Sequence, residues 1–183
     1  MSDRASALGD AFRPGRHGAP DGEPGVRLSE TVFDFVGEAA AFGGAEEKLD
    51  ALFASARGKA ATSLSFQFAR NRWLLAGATD FRDQLNRSLK SEDVSLIDLT
   101  HGRAALSVSG PKAEWVLSKL FAVDFREAAF PALSGIATMH HDTFAQIYRS
   151  DAQSFDIFVY RSFARAFWDT LCRAAAEVGY EAA

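Results

Sequence analysis

The sequence predicts an α+β fold of mostly antiparallel sheets with helices packed on one face, ferredoxin-like in style. Three observations carry that expectation. Leu64, Phe66 and Phe68 alternate with Ser65 and Gln67, and Ala104, Leu106 and Val108 with Ala105 and Ser107, the period of a strand, while Phe155–Tyr160 is apolar on both faces, as in a buried strand. Between such runs lie apolar stripes at helical spacing, as in Phe81, Leu85 and Leu89. Two or more strand-like runs separate each helix from the next, in the order strand pair, helix, strand pair, helix, strand group, helix. That order favours antiparallel pairing over a βαβ arrangement.

Residues 1–27 read as a distinct N-terminal arm, with residues 28–183 as a single domain. The arm holds Pro14, Pro20 and Pro24 among Gly9, Gly15, Gly18, Gly22 and Gly25. Its apolar residues are sparse, so it is either a flexible tail or a segment that orders on a partner. Residues 28–60 are ambiguous, since Val32, Phe33, Phe35 and Val36 suit a helix or a strand. Glu46–Phe53 reads as helical, with Leu49, Leu52 and Phe53 on one side. Leu64, Phe66 and Phe68 form a half-buried strand, Arg70–Arg72 a polar turn, and Trp73–Ala76 a second strand ending at Gly77. Thr79 or Asp80 is placed to cap the helix that follows.

Val94–Leu99 is apolar on both faces, which predicts a central strand. His101-Gly102 makes a corner, and Ala104, Leu106 and Val108 form the returning strand. A helix is expected to start on Pro111, with Ala113, Val116, Leu117 and Leu120 as its stripe. Past Phe130-Pro131 come strand-like runs at Ser134–His140, Phe144–Tyr148 and Phe155–Tyr160. The last helix is expected over about Ser162–Val178, capped by Ser162 and stopped by Gly179. Arg165 with Asp169, and Arg173 with Glu177, are spaced as i, i+4 ion pairs on its outer face.

The 183 residues carry a net charge of −4, which argues against a nucleic-acid partner. No run approaches the roughly 18 apolar residues of a membrane span. The start, Met1–Ser6, lacks the pattern of a signal peptide, so a soluble, cytoplasmic protein is expected. Cys172 is the single cysteine and offers neither an internal disulfide nor a metal cluster. Asn86-Arg87-Ser88 is a glycosylation sequon that matters only in a secreted chain.

Motifs for catalysis are scarce. There is no G-x-G-x-x-G, no phosphate loop and no G-x-S-x-G. His140-His141 invites a metal, but neighbours on a strand point to opposite faces, and a polar hairpin end suits the pair better. Asp98, His101 and Arg103 cluster at the corner. Asp98 is placed to orient His101 as an acid–base pair, even for a hydrolase; no nucleophile accompanies them, so turn keeping or subunit contact is favoured. Arg161, Arg165 and Trp168 gather near the last helix, where an exposed Trp beside an Arg suits a protein contact and a buried one suits core packing.

The run Ile97-Asp98-Leu99-Thr100-His101-Gly102-Arg103, with Leu106-Ser107-Val108-Ser109-Gly110-Pro111-Lys112-Ala113, resembles the D-[LV]-[ST]-H-x-R…L-x-[VL]-S-G-x-x-A signature of the folate-binding glycine-cleavage T-protein fold. A closer resemblance is to one branch, the gamma subunit of heterotetrameric sarcosine oxidase. Val116–Lys119 resembles its V-L-x-K, and Val123–Phe125 with Ala129–Pro131 its L-D-L…A-F-P. Phe155–Ala164 resembles its F-D-L-Y-V-x-R-S-F-A, Phe167–Leu171 its L-W-D-W-L, and Trp73–Leu75 its W-L-L strand. Coverage runs from about Trp73 to Tyr180.

That resemblance implies a fold like the N-terminal domain of the folate-binding aminomethyltransferases. It implies a non-catalytic chain in a complex that oxidatively demethylates sarcosine to glycine and passes the one-carbon unit to tetrahydrofolate. FAD, FMN and NAD would sit on other subunits and none on this chain, with alpha, beta and delta subunits as partners. The Gly-Gly-x-x-Asp-Asp hairpin of the aminomethyltransferases is missing near His141-Asp142-Thr143, so no folate residue carries over. Leu120-Phe121-Ala122 departs from a G-C-P type sequence, which keeps N-methylglutamate dehydrogenase open as the parent complex. A free-standing folate-binding or aminomethyltransferase-like module is the other alternative.

Overall fold

The computed structural model describes residues 5–18, 22–57, 63–90 and 92–183. The body expected from residue 28 onward is organised as two compact units, the larger taking Met1–Val32 and Ala104–Ala183, the smaller Phe33–Arg103.

The larger unit is built on seven strands: β1 (Gly15–His17), β2 (Val26–Thr31), β7 (Arg103–Ser109), β8 (Gly135–His140), β9 (Thr143–Asp151), β10 (Ser154–Tyr160) and β11 (Tyr180–Ala182). Their order is β1-β11-β2-β7-β10-β9-β8. Pairs β1–β11, β2–β7, β10–β9 and β9–β8 are antiparallel, and β11–β2 is parallel. Period-two alternation sends Val26, Leu28, Leu106, Val108, Ala145, Ile147, Phe155, Ile157 and Val159 to one face. Helices α3 (Ala113–Leu120) and α4 (Ala164–Ala175) cover it, with Val116, Leu117, Phe167, Trp168 and Leu171 in the same core. Phenylalanines close one end: the Phe125 and Phe155 rings meet edge to face at 5.7 Å.

The smaller unit holds β3 (Phe35–Ala41), β4 (Leu64–Ala69), β5 (Arg72–Gly77) and β6 (Val94–Asp98) in the antiparallel order β4-β5-β3-β6. Leu49 and Phe53 of α1 (Glu46–Arg57) and Phe81 and Leu85 of α2 (Thr79–Ser88) pack onto Phe35, Ala39, Trp73 and Leu75. Gly37 has to be glycine, because a Cβ there would overlap the Phe35 ring and lie 3.1 Å from the Ile97 carbonyl. The β4–β5 turn puts Asn71 at φ 57, a conformation asparagine tolerates.

The α+β class and the antiparallel pairing hold, and in each unit both helices share one face of the sheet. Several local expectations need correction. β6 is an edge strand, not a central one: among the described residues it pairs only with β3, and Ile97 is 53% exposed. The helix after Gly110 starts at Ala113 rather than Pro111, because the Ala113 amide bonds back to the Gly110 carbonyl and Pro111-Lys112 complete a turn. That turn needs glycine at 110, with φ 119 and the Gly25 carbonyl 2.8 Å from where a Cβ would stand. Neither Thr79 nor Asp80 caps α2, whose cap position is Ala78; Asp80 instead accepts the Phe81 amide at 2.8 Å. A 3₁₀ turn over Arg161–Phe163 precedes α4, so Ser162 is no cap, and the helix ends at Ala175. Gly179, at φ 71, does mark the reversal into β11.

The described part of the N-terminal segment lies on the larger unit. Ala7 and Leu8 are buried in its core, the Ala7 amide donates to Glu30 at 2.7 Å, and β1 pairs with β11. Backbone pairing and two small apolar anchors hold the segment, which composition alone leaves unmarked.

Candidate functional site

The corner after β6 is held by its own backbone and by one threonine. The Gly102 and Arg103 amides both donate to the Leu99 carbonyl, at 2.8 and 3.0 Å. Thr100 is buried, and its Oγ1 accepts the Val36 amide at 3.0 Å while its own amide donates to Asp98 Oδ1 at 2.9 Å. Burial pulls the Asp98 carboxyl upward, but the Thr100 bonds and the charges of Arg82 and His101 outweigh it and leave the group below its usual range. Arg82 Nη1 stands 3.4 Å from Asp98 Oδ2. His101 is exposed, and no hydrogen bond joins it to Asp98 among the described residues. Geometry therefore gives Asp98 the work of holding the turn.

Arg103 takes a different part. It is 3% exposed, and its Nη2 donates to Glu38 Oε1 at 2.8 Å. Arg72 Nη2 binds the other oxygen, Oε2, at 2.7 Å. One carboxylate, itself 7% exposed, is thus bridged by two guanidinium groups, all three residues lying in the smaller unit, which ends at Arg103. Charge-assisted bonds of this kind are strong and directional. Both oxygens of Glu38 are thereby engaged, one by each arginine. Glu38 escapes a reading of the sequence because it lies in an alanine- and glycine-rich stretch with no motif.

The remaining candidates lie on the larger unit, apart from the corner in sequence and unit. Arg161 Nη2 donates to the Ala5 carbonyl at 2.6 Å, and Arg165 Nη2 stands 3.4 Å from Asp10. Both tie down the N-terminal segment. The i, i+4 pairs expected on α4 are replaced by pairs between elements: Arg165 with Asp10, and Glu177 with Lys119 at 2.6 Å. Trp168 is 2% exposed, its ring 5.6 Å from that of Phe12, and takes the core alternative. His140 and His141 do not point to opposite faces. The strand ends at His140, His141 turns at φ 51, and the two rings stand 4.4 Å apart. Among the described residues no group of three His, Cys, Asp or Glu is arranged to hold a metal, and no helix is long and apolar enough to cross a membrane.

Two polar groups in the larger unit carry no sequence signal. Arg149 is fully buried on β9, where a strand pattern calls for an apolar residue. Its Nη1 donates to the carbonyls of Phe125 (2.7 Å) and Phe130 (3.0 Å), and its Nη2 to Glu114 at 2.8 Å and to the Ala152 carbonyl. It clasps the loop after α3 to the sheet. Asp156 is pushed up to about 6 by burial, against the pull of bonds from Ser107 and Ser150.

Fold and site together describe a chain organised around structural ion pairs on a T-protein-like framework. Residues 59–183 match the family described as the GCVT N-terminal domain, and the chain belongs to that family. Among solved structures its fold is similar to a chain of the heterotetrameric sarcosine oxidase from Corynebacterium sp. U-96, determined in complex with pyrrole 2-carboxylate. There the TM-score is 0.75 at 23% identity, over 96% of both chains. It is also similar to the glycine cleavage system aminomethyltransferase T from Bartonella henselae, with a TM-score of 0.57 at 18% identity, over 96% of this chain and 50% of that one. No curated protein matches the sequence significantly.

Proposed function

We propose that this chain is the non-catalytic gamma subunit of a heterotetrameric sarcosine oxidase. The complex would oxidatively demethylate sarcosine to glycine and pass the one-carbon unit to tetrahydrofolate. One observation carries the reading. The chain and the sarcosine oxidase chain cover each other almost end to end, whereas the aminomethyltransferase has about as much chain again. That likeness supports an accessory role beside alpha, beta and delta subunits. FAD, FMN and NAD would be held on those partners. The corner chemistry agrees, because Asp98 and Arg103 are committed to the turn and to Glu38.

For folate, the residues on this chain fit poorly. His140 pairs directly with Thr143 across a two-residue turn, so the Gly-Gly-x-x-Asp-Asp segment of the aminomethyltransferases has no counterpart there. Family membership keeps a free-standing folate-binding module as the second reading.

Affinity capture of the tagged chain from its native host tests the proposal. Co-purification of large flavoprotein subunits that turn over sarcosine is the expected result. Capture of subunits that oxidise N-methylglutamate but not sarcosine would move the chain to N-methylglutamate dehydrogenase. Heat released on mixing the isolated chain with tetrahydrofolate, with no partner captured, would favour the folate module.

A further inference from the structure

On the larger unit the segment from Asp10 to His17 runs beside α4 and β11 and leaves a cleft of about 540 Å³. Trp168 and Cys172 lie beneath it. One wall is a stacked pair, the His17 and Tyr180 rings 5.0 Å apart at 25°. His17 Nε2 lies 2.9 Å from the Arg13 carbonyl oxygen and holds that segment's backbone.

Two guanidinium groups line the cleft from different elements, Arg13 from the N-terminal segment and Arg173 from α4. Neither has a hydrogen-bond or ion-pair partner among the described residues. Their neighbours are spoken for: Arg161 binds the Ala5 and Ser6 carbonyls, and Arg165 takes Asp10. Asp10 is therefore already paired, which leaves Asp169 as the one lining carboxylate without a partner. Asp169 sits against Cys172 and Tyr180. Burial first, and then that charge, push the Cys172 thiol up; burial, the bond with Cys172 and the same charge push Tyr180 up to about 12. Both groups stay protonated, and they are bonded to each other. The cleft therefore presents two guanidinium groups without ion-pair partners among the described residues and one lining carboxylate, Asp169, close to Cys172 and Tyr180.

We propose that this cleft binds a small organic oxyanion, a phosphate ester or a polycarboxylate, clamped between Arg13 and Arg173. Guanidinium groups match the planar oxygen pairs of carboxylates and phosphates. The volume falls within the roughly 300–1,000 Å³ of small-molecule sites and exceeds what a bare ion fills, so the body of the ligand occupies the space beside the His17–Tyr180 wall. This site is separate from the corner at Asp98–Arg103 and does not depend on the subunit reading.

The test is calorimetric titration of the full chain with pyrophosphate, as the phosphate probe, and with citrate, as the carboxylate probe. Saturable binding of one or both is expected, weakened at least about tenfold in Arg13→Gln and in Arg173→Gln, since each removes a charge-assisted contact. Arg87→Gln, an exposed arginine on α2, should leave binding unchanged. The bound probe should also slow alkylation of Cys172, the chain's single cysteine. Pyrophosphate binding without citrate binding assigns the phosphate class, and the reverse assigns the carboxylate class. Absence of saturable binding by either probe, or equal weakening in all three variants, would overturn the proposal.

Discussion

Replacing Arg103 by Met leaves the Glu38 carboxylate buried beside one guanidinium instead of two. Breaking a buried ion pair from one side costs roughly 3–5 kcal/mol. Because Arg72 still binds Oε2, the expected loss is near the lower end, about 3 kcal/mol by urea unfolding. Arg72→Ala should cost no more than about 1 kcal/mol, since that side chain is 53% exposed. Equal losses in the two variants would contradict the reading of Arg103 as the buried partner. Asp156 gives a pH signature of opposite sign to ordinary acid unfolding. Its folded pKa, about 6, lies above the ordinary aspartate value of 3.8. The folded state therefore holds the proton more tightly, and stability falls as pH rises from about 4 through 6, then stays level. Asp156→Asn should remove that slope and raise stability at pH 7 by up to roughly 3 kcal/mol, read from urea midpoints across pH. Below pH 4, protonation of Asp98, held under its usual range, works in the other direction.

At the scale of elements, the position of β6 separates two kinds of apolar residue. Ile97 sits on an edge strand and is half exposed, whereas Leu75 lies on β5 between two neighbours and is fully buried. Ile97→Thr should shift stability by no more than about 0.5 kcal/mol, and Leu75→Ala should cost about 2–5 kcal/mol; thermal melts of the two variants check the contrast. The same pair shows where a sequence is readable. β5, β9 and β10 declare themselves by alternation or by apolar runs that really are buried. β6 imitates them, because whether a strand lies at an edge depends on partners distant in the chain. β1 and β11 span three residues each, too few for a period to register. β3 packs Gly37 and Ala39 under its helices, and such small residues carry little hydrophobic signal. The corner at Asp98 was readable because an Asx turn is a local event. Glu38, Arg149 and the cleft at Arg13 and Arg173 were not, since each joins segments far apart in sequence.

For the whole molecule, the subunit proposal predicts division of labour. The purified chain should be colourless and should not turn over sarcosine; a flavin spectrum or turnover from this chain alone would contradict the accessory role. Arg149→Ala offers a control for whole-molecule integrity. It would strand the carbonyls of Phe125, Phe130 and Ala152 and the Glu114 carboxylate, at a cost of about 3–5 kcal/mol, and circular dichroism melts should register it. A capture experiment that fails with this variant but succeeds with Arg13→Gln would report folding rather than a contact surface.

The pairing of β2 with β7 has a consequence for how the chain folds. Thr31 stands opposite Ala105, and everything between them belongs to the smaller unit except the flanking residues. Within that unit the first and last strands are themselves neighbours, with Gly37 opposite Asp98 and the Leu99 amide bonded to the Val36 carbonyl at 2.8 Å. Once the smaller unit has formed, its two ends emerge side by side, and β2 and β7 meet as though joined by a short loop. A contact that is long-range along the chain becomes local in time, and most of its loop-closure entropy has been lost beforehand. Stopped-flow refolding should then show a variant such as Leu75→Ala slowing assembly of the seven-stranded sheet, although it lies outside that sheet.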